Sequence, residues 1–347
     1  MKPFNVTIHR SYPNYPELVK IMITGESIAI SLLNYGGTIS KLMIADRWGQ
    51  KKNIVLNYPN ESEYIRQRSF IGAAVGRVAG RISQGLWSSD YGNYQLEKNE
   101  NDSTHLHGGS VGFDTIFWNY QIVEKRDYVQ VIFTKVIPDK LGGYPGNLDM
   151  SICYTIFESN QLSIEYKGIS DQKTIINPTN HSYFNLSGNF SKDIRDHILT
   201  LDASNYLPLK KDKTPTGEML SVNGTSFDFR QGRQLKNTLT SSEDQILQEE
   251  GLNHPFILDK ARDVDARLFH PESGRAIEIR TTNSAIISYS GNHFSGKPFA
   301  KYSGLALETQ ELPDAVNHPS FGAIVVEANQ VFYQKTAFEF FSNYSSN

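Results

Sequence analysis

Cysteine is nearly absent from this chain, which has 347 residues and a single thiol at Cys153. One thiol cannot form an internal disulfide, so the fold has to depend on its hydrophobic core. Cys153 lies in the segment 150–156, MSICYTI, whose alternating side chains are typical of a β-strand. We therefore expect a structural thiol at this position.

Long apolar runs are also missing. No stretch approaches the roughly 18 consecutive apolar residues of a membrane-spanning helix, and the first residues, MKPFN, lack the apolar core of a signal peptide. Charge is balanced as well, since 34 basic and 37 acidic residues give a formal net charge of −3. We therefore expect a cytoplasmic protein without a membrane or nucleic-acid partner. The one short basic run, KKDK at 210–213, is interpreted as a solvated loop.

Two motifs that would indicate a phosphate or a metal ion are incomplete. The segment 76–82, GRVAGRI, lacks the lysine and the serine or threonine of a phosphate loop. An arginine that donates a fork of hydrogen bonds to hydroxyls or to a carboxylate is the better interpretation. His105 and His107 would share one face of a strand, as a metal-binding pair does, but no glutamate follows them before Glu124. The sequence therefore predicts no bound metal.

Short segments rich in β-branched and aromatic residues recur along the chain, and several alternate at period two. The clearest helical segments are 61–67 and 241–250, and the second has little apolar surface to turn toward a core. This pattern predicts an all-β protein with many short strands and few short helices. Because no linker is visible, we expect one domain over residues 1–341 and a polar tail at 342–347. The predicted strands include residues 26–32, 129–134, 162–167, 276–280 and 285–290.

The segment 177–186, NPTNHSYFNL, has the composition of a functional site. Its Asn and Pro residues favour a turn that brings His181 out of a strand ladder, and Tyr183 and Phe184 can pack behind the imidazole. On composition alone, a buried structural histidine with one backbone partner is an equally good interpretation. The choice between them depends on partners elsewhere in the chain.

Two further segments supply candidate partners. In LHGG at 106–109, the two glycines beside His107 allow a ligand or another backbone segment to approach closely. In LALETQ at 305–310, Glu308 follows a short apolar run, which argues against full solvent exposure. A solvated strand residue stays the alternative for this glutamate.

Together, and in this order along the chain, these segments resemble the aldose 1-epimerase (galactose mutarotase) family. The matching blocks extend from about residue 70 to about residue 315, and their shared order makes the resemblance specific. It implies a large antiparallel β-sandwich with few short helices and a site in an open cleft on one face. The blocks are GRVAGRI at 76–82, LHGG at 106–109, GYPG at 143–146, NPTNHSYFNL at 177–186, GLNHPF at 251–256 and LETQ at 307–310.

The resemblance implies an isomerase that interconverts the α and β anomers of free aldohexoses such as galactose or glucose. In the family, a glutamate takes the proton of the C1 hydroxyl and a histidine protonates the ring oxygen, and these residues match Glu308 and His181. Arg81 and His107 match sugar-binding residues. The reaction needs no redox change, phosphate or metal, so no cofactor is expected. The expected partner is a small sugar, bound by a monomer or a homodimer.

Two positions depart from the family pattern. Asn253 stands where many members have an aspartate that accepts hydrogen bonds from sugar hydroxyls. Because charge-assisted hydrogen bonds are stronger than neutral ones, we expect binding weaker by about tenfold, and a lower KM for galactose in Asn253→Asp. Ile287 stands where some members have a sugar-contacting glutamine, so one polar contact is expected to be missing.

Three other functions are compatible with parts of the sequence. Glu308 and Glu311 could form the carboxylate pair of a glycoside hydrolase, although that leaves His181 without a role. Arg77 and Arg81 could contribute to an epimerase for phosphorylated hexoses. A catalytically weak sugar-binding or regulatory protein on the same fold is supported by the Asn253 departure alone.

Overall fold

The computed structural model describes residues 3–90 and 92–344. Within these ranges the strands form three large antiparallel sheets and four antiparallel strand pairs. This confirms the predicted all-β class with few short helices. The α-helices of the described residues are Glu63–Arg66, Leu235–Leu239 and Asp244–Glu249, and the 3-10 turns are Phe113–Thr115, Leu141–Gly143, Ala315–Asn317 and Pro319–Phe321.

The sheet that we call the large sheet has nine strands among the described residues. Its strands alternate buried and accessible side chains, as in Tyr128–Ile137, where Val129, Val131 and Phe133 point inward. Cys153 lies in one of these strands, as predicted. The strand order is Asn119–Glu124, Tyr128–Ile137, Leu148–Phe157, Gln161–Ser170, Val331–Phe341, Ala276–Thr281, Ala266–Phe269, Ile198–Leu201 and Arg233–Gln234.

Two further sheets pack with the large sheet. The N-terminal sheet has the order Phe4–His9, Lys20–Gly25, Ile28–Leu33, Thr38–Ala45 and Lys51–Asn53. The sheet that we call the site sheet has the order Tyr183–Phe184, Leu305–Gln310, Ala285–Tyr289, Asn253–Ile257, Asn205–Tyr206 and Leu220–Ser221. The strand pairs are Arg81–Ser83 with Thr104–Leu106, Leu86–Ser89 with Gly92–Gln95, Ala74–Val75 with Thr179–Asn180, and Thr174–Ile175 with Val325–Val326.

One hydrophobic cluster joins the three sheets. It includes Ile21 of the N-terminal sheet, Phe133 and Ile152 of the large sheet, and Phe256 and Leu305 of the site sheet, all fully or almost fully buried. Burial of apolar surface on this scale is the main source of stability for a chain without disulfides. The site sheet therefore packs against a dense hydrophobic core, which holds its side chains in fixed positions.

Both predicted helical segments contain a helix, but each helix is shorter than its predicted segment and a third helix was not predicted. The segments 61–67 and 241–250 contain the helices Glu63–Arg66 and Asp244–Glu249, but Leu235–Leu239 was missed because five residues carry no periodic pattern. The segment 241–250 was expected to have little apolar surface to turn toward a core, and Ile246 is its one buried apolar side chain in the helix, although Glu249 is buried as well. Among the described residues, no helix has the length and apolar character needed to cross a bilayer.

The predicted polar tail is described only in part. Tyr344 donates its backbone N–H to Gly274 at 2.9 Å, and its ring packs against Phe269 and Phe341. Residues 345–347 lie outside the described residues. The division into a domain at 1–341 and a tail at 342–347 stays a prediction.

Candidate active site

A pocket of about 280 Å³ lies on one face of the site sheet, because alternate residues of three neighbouring strands line it. It is lined by all five residues that the sequence predicts for the site, Arg81, His107, His181, Asn253 and Glu308. The sheet topology brings Asn253 and Glu308 close together although they are far apart along the chain, because Asn253–Ile257 and Leu305–Gln310 both pair with the strand Ala285–Tyr289. The structure thus brings these predicted residues together.

Glu308 and His181 form what we call the central pair. Glu308 is 3% exposed and His181 is 4% exposed, and His181 Nε2 lies 3.4 Å from Glu308 Oε1. Among the described residues, His181 Nδ1 and Glu308 Oε2 have no hydrogen-bond partner. Burial raises the pKa of Glu308, although the nearby His181 and Arg81 act in the opposite direction. The pair therefore combines a carboxylate with increased basicity and an imidazole, and both keep a free polar atom.

Hydrogen bonds between two segments hold the central pair in place. The Asn177 side chain accepts from the backbone N–H of Glu311 at 2.9 Å and donates to the Glu311 carbonyl at 3.1 Å. Thr179 Oγ1 donates to the carbonyl of Thr309 at 3.0 Å. These contacts tie the segment that carries His181 to the strand that carries Glu308. The asparagine and threonine of NPTNH therefore fix the spacing of the pair.

His107 presents one ring nitrogen to the pocket. Its Nδ1 accepts a hydrogen bond from the backbone N–H of Gly80 at 3.1 Å, and its ring lies 5.5 Å from the His181 ring, centroid to centroid. Burial, with a smaller effect of the His181 charge, holds the pKa of His107 well below its usual value. A neutral imidazole that accepts at Nδ1 carries its proton on Nε2. His107 therefore has an N–H at Nε2 that is available as a hydrogen-bond donor.

His105 does not share this position. Its Nδ1 lies 2.7 Å from the Glu97 carbonyl, and its Nε2 lies 2.6 Å from the Tyr144 hydroxyl. The two imidazoles separate because the strand ends at Leu106 and His107 turns away with φ of 50°. The interpretation of these histidines as partners on one strand face is wrong.

The two arginines of GRVAGRI have different tasks. Arg77 is buried and donates to the carbonyls of Pro145 at 2.8 Å and Gly146 at 3.2 Å, so it anchors the GYPG segment. Arg81 lines the pocket and forms a bidentate ion pair with Glu100, with contacts of 2.6 and 2.7 Å. A bidentate partner fixes the plane of the guanidinium. Arg81 is thereby held ready to donate its remaining hydrogen bonds.

Gly108 is required because two backbone segments meet there. A Cβ atom at this position would overlap the Gly76 carbonyl, and the backbone has φ of +86°. Gly322 has the same φ of +86° with nothing within 4 Å of its Cβ position, so it is a matched control.

We expect Gly108→Ala to be strongly destabilising. Gly322→Ala should lower the free energy of unfolding by about 1–3 kcal/mol through backbone strain alone, because φ of 86° with ψ of −174° is a conformation almost confined to glycine. At Gly108 the Cβ atom would also overlap the Gly76 carbonyl, so Gly108→Ala should lower the free energy of unfolding by more than about 4 kcal/mol. Urea denaturation of both variants measures the difference, and equal losses would contradict the close approach.

The comparison with known proteins agrees with the geometry. The aldose 1-epimerase family model matches residues 20–339. The chain belongs to the aldose 1-epimerase family. Galactose mutarotase of Bos taurus is 36% identical over 330 residues, which cover 92% of this chain and 93% of the relative. Aldose 1-epimerase of Haemophilus influenzae is 37% identical over 288 residues, covering 80% and 82%.

Solved structures of the epimerase family show the same architecture. The galactose 1-epimerase from Lactobacillus acidophilus superposes with a TM-score of 0.89 at 30% identity, covering 99% of this chain and 100% of that chain. An aldose epimerase homologue from C. elegans has a TM-score of 0.83 at 26% identity, covering 92% and 97%. The predicted galactose mutarotase-like β-sandwich is confirmed.

The second departure from the epimerase family pattern is visible in the pocket. Ile287 lines it and lies opposite Glu308 in the strand register, so an apolar side chain adjoins the carboxylate. Glu311, by contrast, accepts hydrogen bonds from the backbone and hydroxyl of Ser284 and does not line the pocket. The interpretation of Glu308 and Glu311 as a hydrolase pair is wrong.

Several pocket residues of this family member were not predicted from the sequence. Gln310 is fully buried, lines the pocket and has no partner for either amide atom among the described residues. Its spacing of two from Glu308 in a strand places both on one face, which was the available signal. Lys213 also lines the pocket, with Nζ 2.7 Å from His293 Nε2. The interpretation of 210–213 as a solvated loop was therefore wrong for its last residue.

Buried histidines predict acid sensitivity for this family member. Burial is the largest cause that lowers their pKa values, and it brings the pKa of His254 to about 3. A histidine whose pKa is lowered by folding has no effect on stability well above about pH 6.5, where it is neutral in both states. Below about pH 6.5 the unfolded state binds the proton, and the folded state loses up to about 1.4 kcal/mol of stability per pH unit per histidine. The affected buried residues are His105, His107, His197, His254 and His270.

We expect the urea midpoint to fall steadily between pH 7 and pH 5. Glu308, Asp114 and Asp314 act in the opposite direction, because burial raises their pKa values and they favour the folded state as pH falls. The five buried histidines outweigh these three carboxyl groups, because positively charged or polar neighbours partly oppose the rise in the carboxyl pKa values. A midpoint that stays constant over this range would contradict the assignment.

Proposed function

We propose that this chain catalyses the interconversion of the α and β anomers of free aldohexoses, with galactose or glucose as substrate. The observation that carries the proposal is the central pair, a buried carboxylate and imidazole 3.4 Å apart at a pocket. Ring opening of a sugar needs one proton removed and one delivered, and such a pair can do both. Relatives of similar length that are named galactose mutarotase and aldose 1-epimerase support the same reaction.

In the proposed mechanism, the Glu308 carboxylate takes the proton of the C1 hydroxyl while protonated His181 gives a proton to the ring oxygen. The C1–O5 bond breaks, and C1 becomes the carbonyl carbon of the open-chain aldehyde. Rotation about C1–C2 exposes the other face, and closure reverses both transfers. Glu308 and His181 return to their initial protonation states, so the turnover consumes no proton. The raised pKa of Glu308 makes it a better base than an exposed carboxylate.

The remaining pocket residues would orient the sugar. Arg81 and the Nε2–H of His107 are placed as donors to hydroxyl and ring oxygens, and Gln310 can both donate and accept. The rings of Phe70 and Tyr289 line the same pocket and provide surface for the apolar C–H face of a pyranose.

Polarimetry tests the proposed activity directly. Freshly dissolved α-D-galactose and α-D-glucose are followed with and without protein, at low buffer concentration to suppress the uncatalysed reaction. Acceleration for either sugar supports the proposal and ranks the two substrates. If neither sugar responds although calorimetry detects binding, the regulatory alternative replaces it.

A metal ion is not needed for this chemistry, yet the pocket offers ligands for one. Among the described residues, His107, His181 and Glu308 each place one ligand atom within 4.8 Å of the others. Two imidazole nitrogens and a carboxylate oxygen form a donor set suited to zinc.

Treatment with a chelator is therefore expected to leave the rate unchanged, because proton transfer needs only the central pair. Added Zn²⁺ should inhibit competitively with the sugar, because it would occupy both members of that pair. Initial rates at several sugar and Zn²⁺ concentrations measure both effects. Loss of activity on chelation that Zn²⁺ restores would show instead that a metal takes part.

We also propose a cytoplasmic enzyme whose only partner is the small sugar, as a monomer or homodimer. The balanced formal charge of −3 supports the expectation that no nucleic acid binds. Light scattering after gel filtration measures the oligomeric state.

A further inference from the structure

Asn253 is bonded to a second carboxylate that the sequence did not point to. Its Nδ2 donates to Glu249 Oε2 at 2.9 Å, and Glu249 is 2% exposed at the end of the helix Asp244–Glu249. An ionised carboxylate only accepts hydrogen bonds, so the NH₂ group of the amide must face Glu249. The Asn253 carbonyl oxygen is then left for the pocket that this residue lines.

Glu249 is held firmly enough to act on Asn253. Its backbone carbonyl accepts from Asn292 Nδ2 at 3.0 Å, and its Oε1 accepts from Gln248 Nε2 at 3.3 Å. Burial lowers the pKa values of Lys213 and His293, which line the pocket, and the nearby charge of Glu249 partly opposes this effect at both residues. A negative charge is thus present beside Asn253, but it lies on Glu249, which is further from the pocket than Asn253 itself.

We propose that Glu249 is a positioning residue for sugar binding, which fixes the Asn253 amide with its carbonyl oxygen toward the ligand. An aspartate at position 253 would supply both a hydrogen-bond acceptor and a negative charge. In this chain Asn253 supplies the acceptor and Glu249 supplies the charge. This inference rests on the proposed function, because the ligand is taken to be an aldose. It also reverses the expectation that Asn253→Asp improves binding.

The reversal follows from the distance between the two side chains. An aspartate at 253 would place a second carboxylate within about 3 Å of Glu249, where like charges cannot both stay ionised and in place. Removing the charge of Glu249 as well would relieve this repulsion. A glutamine at 249 could then donate its amide N–H to the new carboxylate at 253, so that the direction of the hydrogen bond is exchanged.

Three variants test the proposal, Glu249→Gln, Asn253→Asp and the double variant. We expect each single change to raise KM for galactose about tenfold, as for loss of a charge-assisted hydrogen bond, with a smaller change in kcat. The double variant should return KM to within about threefold of the parent, a non-additivity that only coupled residues show. Glu250→Gln is the matched control, because the neighbouring Glu250 is exposed and pairs with Lys301.

A fall in KM for Asn253→Asp, or an unchanged KM for Glu249→Gln, would overturn the proposal. A purely structural role for Glu249 would lower thermal stability and kcat together without rescue in the double variant. Calorimetric titration with galactose tests the role of Glu249 separately from the proposed function, because it measures binding without turnover. If the parent binds galactose without accelerating mutarotation, the proposed function fails, while the affinities of the variants still decide the role of Glu249.

Discussion

Glutamine at position 308 is expected to lower kcat by about 100- to 10,000-fold, the range that a positioned general base contributes. The side-chain shape is kept, so KM should change little. Stability should rise, because burial raises the pKa of Glu308 and the ionised carboxylate therefore disfavours the folded state at neutral pH. Polarimetric rates and thermal denaturation of Glu308→Gln measure both effects.

Glu311→Gln is the matched control for this experiment. Glu311 lies three residues further along the chain, but its carboxylate bonds to Ser284 rather than facing the pocket. Its replacement should leave kcat within a few fold of the parent. A Glu308→Gln variant that keeps comparable activity would remove Glu308 from the role of base.

Replacement of His181 by asparagine is expected to cause a loss of similar size, about 100- to 10,000-fold in kcat. The reason is different, because the ring oxygen would leave without a proton from the imidazole. The double variant with Glu308→Gln should lose little more than either single variant, since residues that act as a unit are not additive. Rates with α-D-galactose under single-turnover conditions give the comparison.

His293→Asn serves as the control for the histidine. His293 lines the same pocket but is exposed and contacts Lys213 rather than the central pair. A small effect there and a large one at 181 would separate catalysis from general disturbance of the pocket. Equal losses at both positions would contradict the assignment of His181 as acid.

Local patterns in the sequence were sufficient for the strands, and they marked His181 and Glu308 as candidates, whereas the roles expected for this pair came from the family resemblance. Period-two alternation identified strands such as Tyr128–Ile137 and Gln161–Ser170, although the ends moved by one to three residues. The turn formers around His181 and the apolar run before Glu308 marked both members of the pair. These signals are local, which is why sequence alone could reveal them.

Contacts between distant segments could not be predicted in the same way. The separation of His105 from His107 depends on one positive φ angle, and the pocket position of Lys213 depends on how a loop packs against the site sheet. The bond from Asn253 to Glu249 joins a strand to the end of a helix whose interior face was not recognised. Each case requires the tertiary arrangement rather than the composition of one segment.

Catalysis requires that the side chains taking part lose conformational freedom. The two hydrogen bonds between Asn177 and Glu311 determine whether this loss occurs during folding or during each turnover. Because they join the His181 segment to the chain just after the Glu308 strand in the folded protein, the proposed base and acid are immobilised during folding and not during turnover. Little reorganisation then accompanies proton transfer, as in preorganised sites generally. Weakening these bonds should therefore slow the chemical step through a less favourable activation entropy, even though Asn177 lies outside the residues that line the pocket.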